Sequence, residues 1–245
     1  MTAVYLILGL PGAGRHELVA NLVEDGLEEP RAAAVFYATD DPAPPGLKQN
    51  STLVSYAFRD GRFVIEAKDE PAEELKEVFF ITDGRQLVID QIEAFPAWLQ
   101  GRGWELARIL LVVDCALAAQ HPEVAEWHEA CVHFADCVLL NRRNAATHTW
   151  AQQFQKKFAD ARYPCVFVPV KQGRVDNALL VLYPEARRLS LAFDSIDPVY
   201  ELDLDEENLP EEPFTLENKL DPYFERLPSG QRRKAVPDVT AYLTR

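Results

Sequence analysis

No apolar run in this chain reaches the roughly 18 residues that a membrane span needs. The opening Met1-Thr2-Ala3-Val4-Tyr5 also lacks the basic region of a signal peptide. A soluble, cytoplasmic protein without membrane contact is the expectation. Cysteine is scarce: Cys115, Cys131, Cys137 and Cys165 are too few and too scattered for a disulfide framework. Each falls in an apolar stretch, where a free thiol packs as a small hydrophobe. Basic residues are outnumbered, 25 Lys plus Arg against 39 Asp plus Glu, for a net charge of -14. Such a surface repels phosphate backbones and anionic lipid, which argues against a general nucleic-acid binder. What is present is core material: 48% hydrophobic residues, with 13 Phe, 8 Tyr and 4 Trp. The 245 residues suit one large α/β domain, or a domain of about 150 to 200 residues with an appendage.

Short apolar runs at 4–8, 33–37, 87–89, 109–113, 137–140 and 165–169 read as strands buried on both faces. Helical periods are expected at 15–24, 71–80, 122–135, 147–158 and 175–182. Strand followed by helix, repeated, predicts a mostly parallel sheet with helices on both faces. Two segments break the rhythm. Residues 53–59 and 62–67 flank Asp60-Gly61, a strong hairpin signal, so an inserted antiparallel pair is predicted after the second strand. From residue 183 onward the alternation stops. Short strands are expected at 189–193 and 199–204, and residues 201–213 carry seven acidic side chains and no basic one. The organisation predicted is a domain over 1–182 and a C-terminal segment over 183–245, acidic and then Pro-rich. That segment reads as a solvated surface or, more sharply, as an arm (201–245) that docks a protein partner.

The most informative stretch is the turn after the first strand, Gly9-Leu10-Pro11-Gly12-Ala13-Gly14-Arg15-His16-Glu17, which leads straight into a helix. Small residues let backbone N–H groups turn inward around a phosphate, and the helix start adds partial positive charge. Gly9-x4-Gly14 matches the phosphate-loop spacing. A Rossmann-like fold is the alternative, although G-x-x-G-x-G departs from the dinucleotide spacing. Where the phosphate loop normally has Lys and then Ser or Thr, this chain has Arg15 and His16. A planar guanidinium does not take the place of a compact ammonium in a tight loop. An imidazole is a poor substitute for a hydroxyl that ligates Mg²⁺.

Three segments in order resemble the CobW-like GTPases, the P-loop proteins of metal trafficking related to the urease and hydrogenase maturation GTPases. The loop at Gly9 to Gly14 is similar to that family's Gly-x-Leu-Gly-Ala-Gly-Lys-Thr-Thr. Ile109-Leu110-Leu111-Val112-Val113-Asp114 resembles its strand ending in Val-Asp-Ala. Phe134-Ala135-Asp136-Cys137-Val138-Leu139-Leu140-Asn141-Arg142-Arg143-Asn144 resembles its guanine-reading Ala-Asp-x-x-Leu-Leu-Asn-Lys-x-Asp. The resemblance covers residues 1 to 182. It implies GTP or GDP with Mg²⁺ as ligands, with Gly9, Gly12, Ala13, Gly14, Arg15, His16 and Glu17 at the phosphates. Asn141, Arg142 and Asn144 are expected near the base.

The departures are equally informative. An Asp in the guanine motif accepts two hydrogen bonds from the base, whereas the Asn144 amide offers one acceptor and one donor. Arg142 replaces a Lys whose stem packs on the base, an exchange that stacking tolerates. In place of the family's Cys-x-Cys-Cys stands Val64-Ile65-Glu66-Ala67, so no thiolate metal site is expected. The family's Glu-Thr-Ser-Gly-Leu after the third strand is matched to Asp90-Gln91-Ile92-Glu93-Ala94. That assignment keeps one carboxylate, Asp90, to hold a metal through water, and loses the Gly. Losses at sites with different jobs point to a degenerate member with impaired hydrolysis, or to a non-catalytic pseudo-GTPase that serves as an interaction module.

His121, His128, Cys131, His133 and Cys137 crowd into seventeen positions, but the spacing does not converge them, and they read as buried thiols and surface imidazoles. Glu70, Glu73, Glu74 and Glu77 read as the solvated face of the helix at 71–80.

Overall fold

The structure, a computed structural model, describes residues 1–47, 51–65, 75–144, 147–193 and 220–243. It contains strands β1 (Ala3–Gly9), β2 (Ala33–Ala38), β3 (Thr52–Arg59), β4 (Arg62–Val64), β5 (Glu77–Ile81), β6 (Glu105–Asp114), β7 (Cys137–Asn141), β8 (Val166–Lys171) and β9 (Arg174–Val175). The helices are α1 (Arg15–Gly26), α2 (Val88–Gln100), α3 (Cys115–Gln120), α4 (Pro122–Val132), α5 (His148–Asp160) and α6 (Ala178–Leu182). None of the described helices is long and apolar enough to cross a membrane.

The strands form one sheet in the order β4-β3-β2-β5-β1-β6-β7-β8-β9. From β3 to β8 every neighbouring pair is parallel, and antiparallel β4 and β9 close the two edges. This is an α/β fold built on a mostly parallel sheet. Its central strands are apolar on both faces because both are covered. Tyr5, Ile7, Phe79, Ile81, Leu110 and Val112 face Leu18, Val19 and Leu22 of α1 and Val181 of α6. On the opposite face Phe80 of β5 stacks on Tyr56 and meets Phe95 and Trp98 of α2 edge-on, with ring centroids 4.5, 5.0 and 4.7 Å away.

The hairpin over residues 52–64 forms as the sequence predicts, turning on Asp60 and Gly61, both with positive φ. β3 also pairs in parallel with β2, so the insertion extends the main sheet.

The third strand of the central sheet is displaced from its predicted place. Residues 87–89 open α2, and the strand is Glu77–Ile81, inside the stretch read as a helix over 71–80. Val78-Phe79-Phe80-Ile81 is a continuous apolar run that fits only between two helical layers. The acidic spacing upstream of it suggested helical period, but Glu77 lies in the strand, and Glu70, Glu73 and Glu74 fall outside the described residues. The apolar period of Val88, Ile92, Phe95 and Leu99, despite Pro96, belongs to α2.

Two compact units are present: 1–189 with 236–245, and 190–235. In the first unit, buried Asp136 accepts from Ile109 N, Arg187 N and the Arg188 guanidinium. Arg108 donates to the carbonyls of Leu180, Val181 and Glu185, closing the end of α6. In the second unit Ser190 donates to Asp221, and Lys234 lies 3.9 Å over the Tyr223 ring. No strand forms over 189–193. The strand expected at 199–204 and the acidic run 201–213 lie outside the described residues.

Candidate phosphate and base site

Strand order places the site. The chain leaves β1 toward β2 on one side and leaves β6 toward β7 on the other, so the crevice at the carboxyl ends of β1 and β6 is a topological switch point. The loop Leu10–Gly14 crosses this edge between β1 and α1. Asp114 and Asn141 are register partners at the ends of β6 and β7 on the same edge.

Gly14 caps α1 with φ 92°, a left-handed conformation that costs glycine little. A Cβ there would run into the Asn141 carboxamide. That carboxamide donates to the Ala13 carbonyl at 2.8 Å, tying the loop to β7 across 128 residues of sequence. The first N–H groups of α1 have no acceptor within the helix.

The Arg15 side chain passes close over Gly9, and its charged end is engaged by neighbouring groups. Its guanidinium is buried, with 3% of the side chain exposed, and donates to the Thr82 carbonyl and, at 2.8 Å, to Asp41 Oδ2. Arg85 donates to the other oxygen of Asp41. One carboxylate from the β2–β3 connection thus joins two guanidiniums. Burial lowers the Arg15 pKa and the Asp41 charge opposes that, so the buried cation is held by its partner. His16 Nε2 is 3.9 Å from Asp41 Oδ2 and is itself buried without a hydrogen-bond partner. Burial, then the Arg15 charge, pushes its pKa below the usual histidine range, so the ring is neutral at pH 7.

The segment after the third strand is Thr82-Asp83-Gly84-Arg85, which corrects the match to Asp90. The Gln91 side chain donates to Asp83 O and accepts from Asp83 N, both at 2.8 Å, fixing this segment against α2. Gly84 packs so closely on the loop that a Cβ would lie 2.7 Å from Gly9 O. A glycine therefore does follow the third strand. Asp90 falls in the first turn of α2; of the residues after the third strand Gly84 packs on the loop, Thr82 donates to Ile7 O and accepts from Arg15, and Arg85 donates to Asp41.

Two adjoining cavities result. One, of about 310 Å³, is lined by the loop with Arg15, His16, Asp41 and Arg85. The other, of about 530 Å³, lies between Asn141, Arg142 and Arg143 on one side and residues 170–173 on the other. Gly14, Glu17 and Arg142 line both. Asn144 lies outside both linings: its Oδ1 accepts from Thr147 N at 3.0 Å, at the start of α5. In a strongly acidic chain, Arg85, Arg142, Arg143 and Lys171 gather at this one edge.

The residues do not fit Mg²⁺, which demands hard oxygen ligands in octahedral array. Both Asp41 oxygens are taken by arginines, and Asp114 Oδ1 accepts from Leu117 N while Oδ2 faces Arg142 at 3.5 Å. The hydroxyl position holds a neutral imidazole. Among the described residues no group of three His, Cys, Asp or Glu side chains converges on a metal position.

The crowded residues of α4 and β7 resolve differently from one another. Cys131 and Cys137 are buried thiols with raised pKa, through desolvation. His128 and His133 are buried, contrary to the surface position expected for them. Asp41, Asp83, Gly84, Arg85 and the turn at 171–173 escaped sequence reasoning. No local motif marks them, since Asp41 lies 26 residues from Arg15 and 44 from Arg85.

No family model matches this chain, and no curated protein matches it. Solved structures do. The Zn(II)-bound YjiA GTPase from E. coli is 18% identical over 75% of this chain and 61% of its own, with a TM-score of 0.49. A Zn(II)-bound triple mutant of YjiA is 17% identical over the same shares, with a TM-score of 0.47. The chain spans about three-fifths of the length of these structures, to which it is similar in chain path.

Proposed function

We propose that this chain is a nucleotide-binding protein of the P-loop type, similar to the CobW-like GTPases of metal trafficking, with impaired hydrolysis. The observation that carries this reading is the pair of adjoining cavities at the switch point, joined through Gly14, Glu17 and Arg142. Phosphates would lie over the loop residues Gly9, Gly12, Ala13 and Gly14 and the N-terminus of α1, beside His16. The base would lie in the larger cavity beside Asn141, with the Arg142 guanidinium for stacking. The Asn144 carboxamide is engaged at α5. Guanine is then read weakly, and GTP and ATP should bind within about tenfold of each other.

Hydrolysis needs an oriented water and stabilisation of charge on the transferred phosphoryl group. Arg15, in the place of the phosphate-clamping lysine, is instead spent on Asp41 and Thr82. Calorimetric titration with GTP, GDP and ATP tests binding, and single-turnover hydrolysis tests catalysis. Turnover below about 0.01 per second is expected, and about 0.1 per second or faster contradicts impaired hydrolysis. Absence of binding to all three nucleotides would favour the interaction-module reading, in which the arm at 201–245 docks a protein partner.

A further inference from the structure

Neutral P-loop chemistry relies on a cation to offset phosphate charge, and this site has replaced the means of holding one with fixed positive charge of its own. We infer that the smaller cavity takes pyrophosphate-bearing ligands as metal-free anions, Arg85 and Arg142 supplying the charge that a divalent cation would bring. The inference rests on the phosphate-binding reading above and goes beyond it by stating the form of the ligand.

Three observations carry it. First, Asp41 and Arg15 form a buried, mutually compensated pair, so the carboxylate is closed to a metal. Second, Arg85 is a second guanidinium on that single carboxylate, and it lines the cavity with 38% of its side chain exposed. Two guanidiniums thus share the one Asp41 carboxylate, with Asp83 and Glu17 as the neighbouring acids, and Arg85 has further N–H donors beyond the nitrogen spent on Asp41. Third, Arg142 stands on the wall shared by both cavities, its left-handed backbone (φ 52°) fixing where the side chain leaves β7, and it is half-exposed. Guanidinium forks match phosphate oxygens in pairs. They also repel a free cation and gain less from a ligand whose charge Mg²⁺ has already reduced. Beside them the buried His16 Nε2, without a partner, lines the same cavity at the position of the cation-binding hydroxyl.

The test is calorimetric titration of inorganic pyrophosphate and of GDP into the full chain, once in EDTA and once in excess Mg²⁺. Binding in EDTA should be at least as tight as with Mg²⁺. Arg85→Ala and Arg142→Ala should each weaken it by about tenfold or more. Arg142→Ala burdens folding least, because that side chain is half-exposed. Tightening by Mg²⁺ of more than about threefold overturns the inference while leaving nucleotide binding in place. Unchanged affinity in a variant that combines Arg85→Ala with Arg142→Ala overturns it as well. No binding of either ligand under either condition removes the phosphate-site reading itself.

Discussion

The two halves of the site are built on opposite electrostatic plans. On the proposed phosphate side Arg15 and Asp41 form a buried pair, with 3% and 2% of their side chains exposed, and the partly exposed Arg85 shares the same carboxylate. On the base side Arg142 and Lys171 are exposed, and Lys171 pairs at the surface with Asp176. Buried ion pairs are sensitive to losing one partner, because the other is left uncompensated, whereas exposed pairs contribute little. The half proposed for phosphate is thus a structural strut. The exposed charges of the base half contribute little to the fold.

Breaking the strut is the strongest test of that difference. Asp41→Ala leaves Arg15 buried without its counter-charge and should cost about 3 to 5 kcal/mol in chemical denaturation. If the loss is below about 1 kcal/mol, as for an exposed pair, the contrast between the halves disappears.

A group in neither half makes the fold sensitive to acid. His128 is fully buried on α4, its Nδ1–H donating to the Val124 carbonyl at 2.8 Å and its Nε2 without a partner. Desolvation lowers its pKa to about 4, from 6.5. The folded state therefore resists protonation. Its stability is complete above about pH 6.5 and declines as pH falls toward 4, by on the order of 3 kcal/mol. Denaturation curves across this range should show the decline in the native chain and a smaller one in His128→Gln. Equal slopes would shift the acid sensitivity to the site.

The smallest effect belongs to the base side. Asn144→Ala removes one hydrogen bond to Thr147 N and should cost about 1 kcal/mol. The ratio of GDP to ADP affinity should not move. A change of tenfold or more in that ratio would return Asn144 to the base cavity.

Parts of this architecture are legible directly in the residues. A strand with no polar residue, a glycine turn and an amphipathic helix start place the loop at Gly9 to Gly14, because local sterics and period decide such a unit. Asp60-Gly61 marks its hairpin for the same reason. Acidic spacing misled at 71–80. Period alone does not tell a short buried strand from a helix, and only the space between α1 and α2 selects a strand at Glu77–Ile81. That one displacement also misplaced the segment following it, so Asp90 was matched where Thr82, Asp83 and Gly84 stand.

The sequence by itself determined the sheet-and-helix class, the loop after the first strand, the phrase ending at Asn141 and the substitution of Arg15 and His16. Each is set by neighbours along the chain. Tertiary structure alone decided what those residues do. It bound the Arg15 guanidinium to Asp41 and Thr82, brought Arg85 to the same carboxylate and tied Asn141 to Ala13. It also left the Asn144 carboxamide accepting from Thr147 N just before α5. The reason is that a buried charge takes whichever partner the packing brings within reach, and that partner lies tens of residues away, where no local pattern records it.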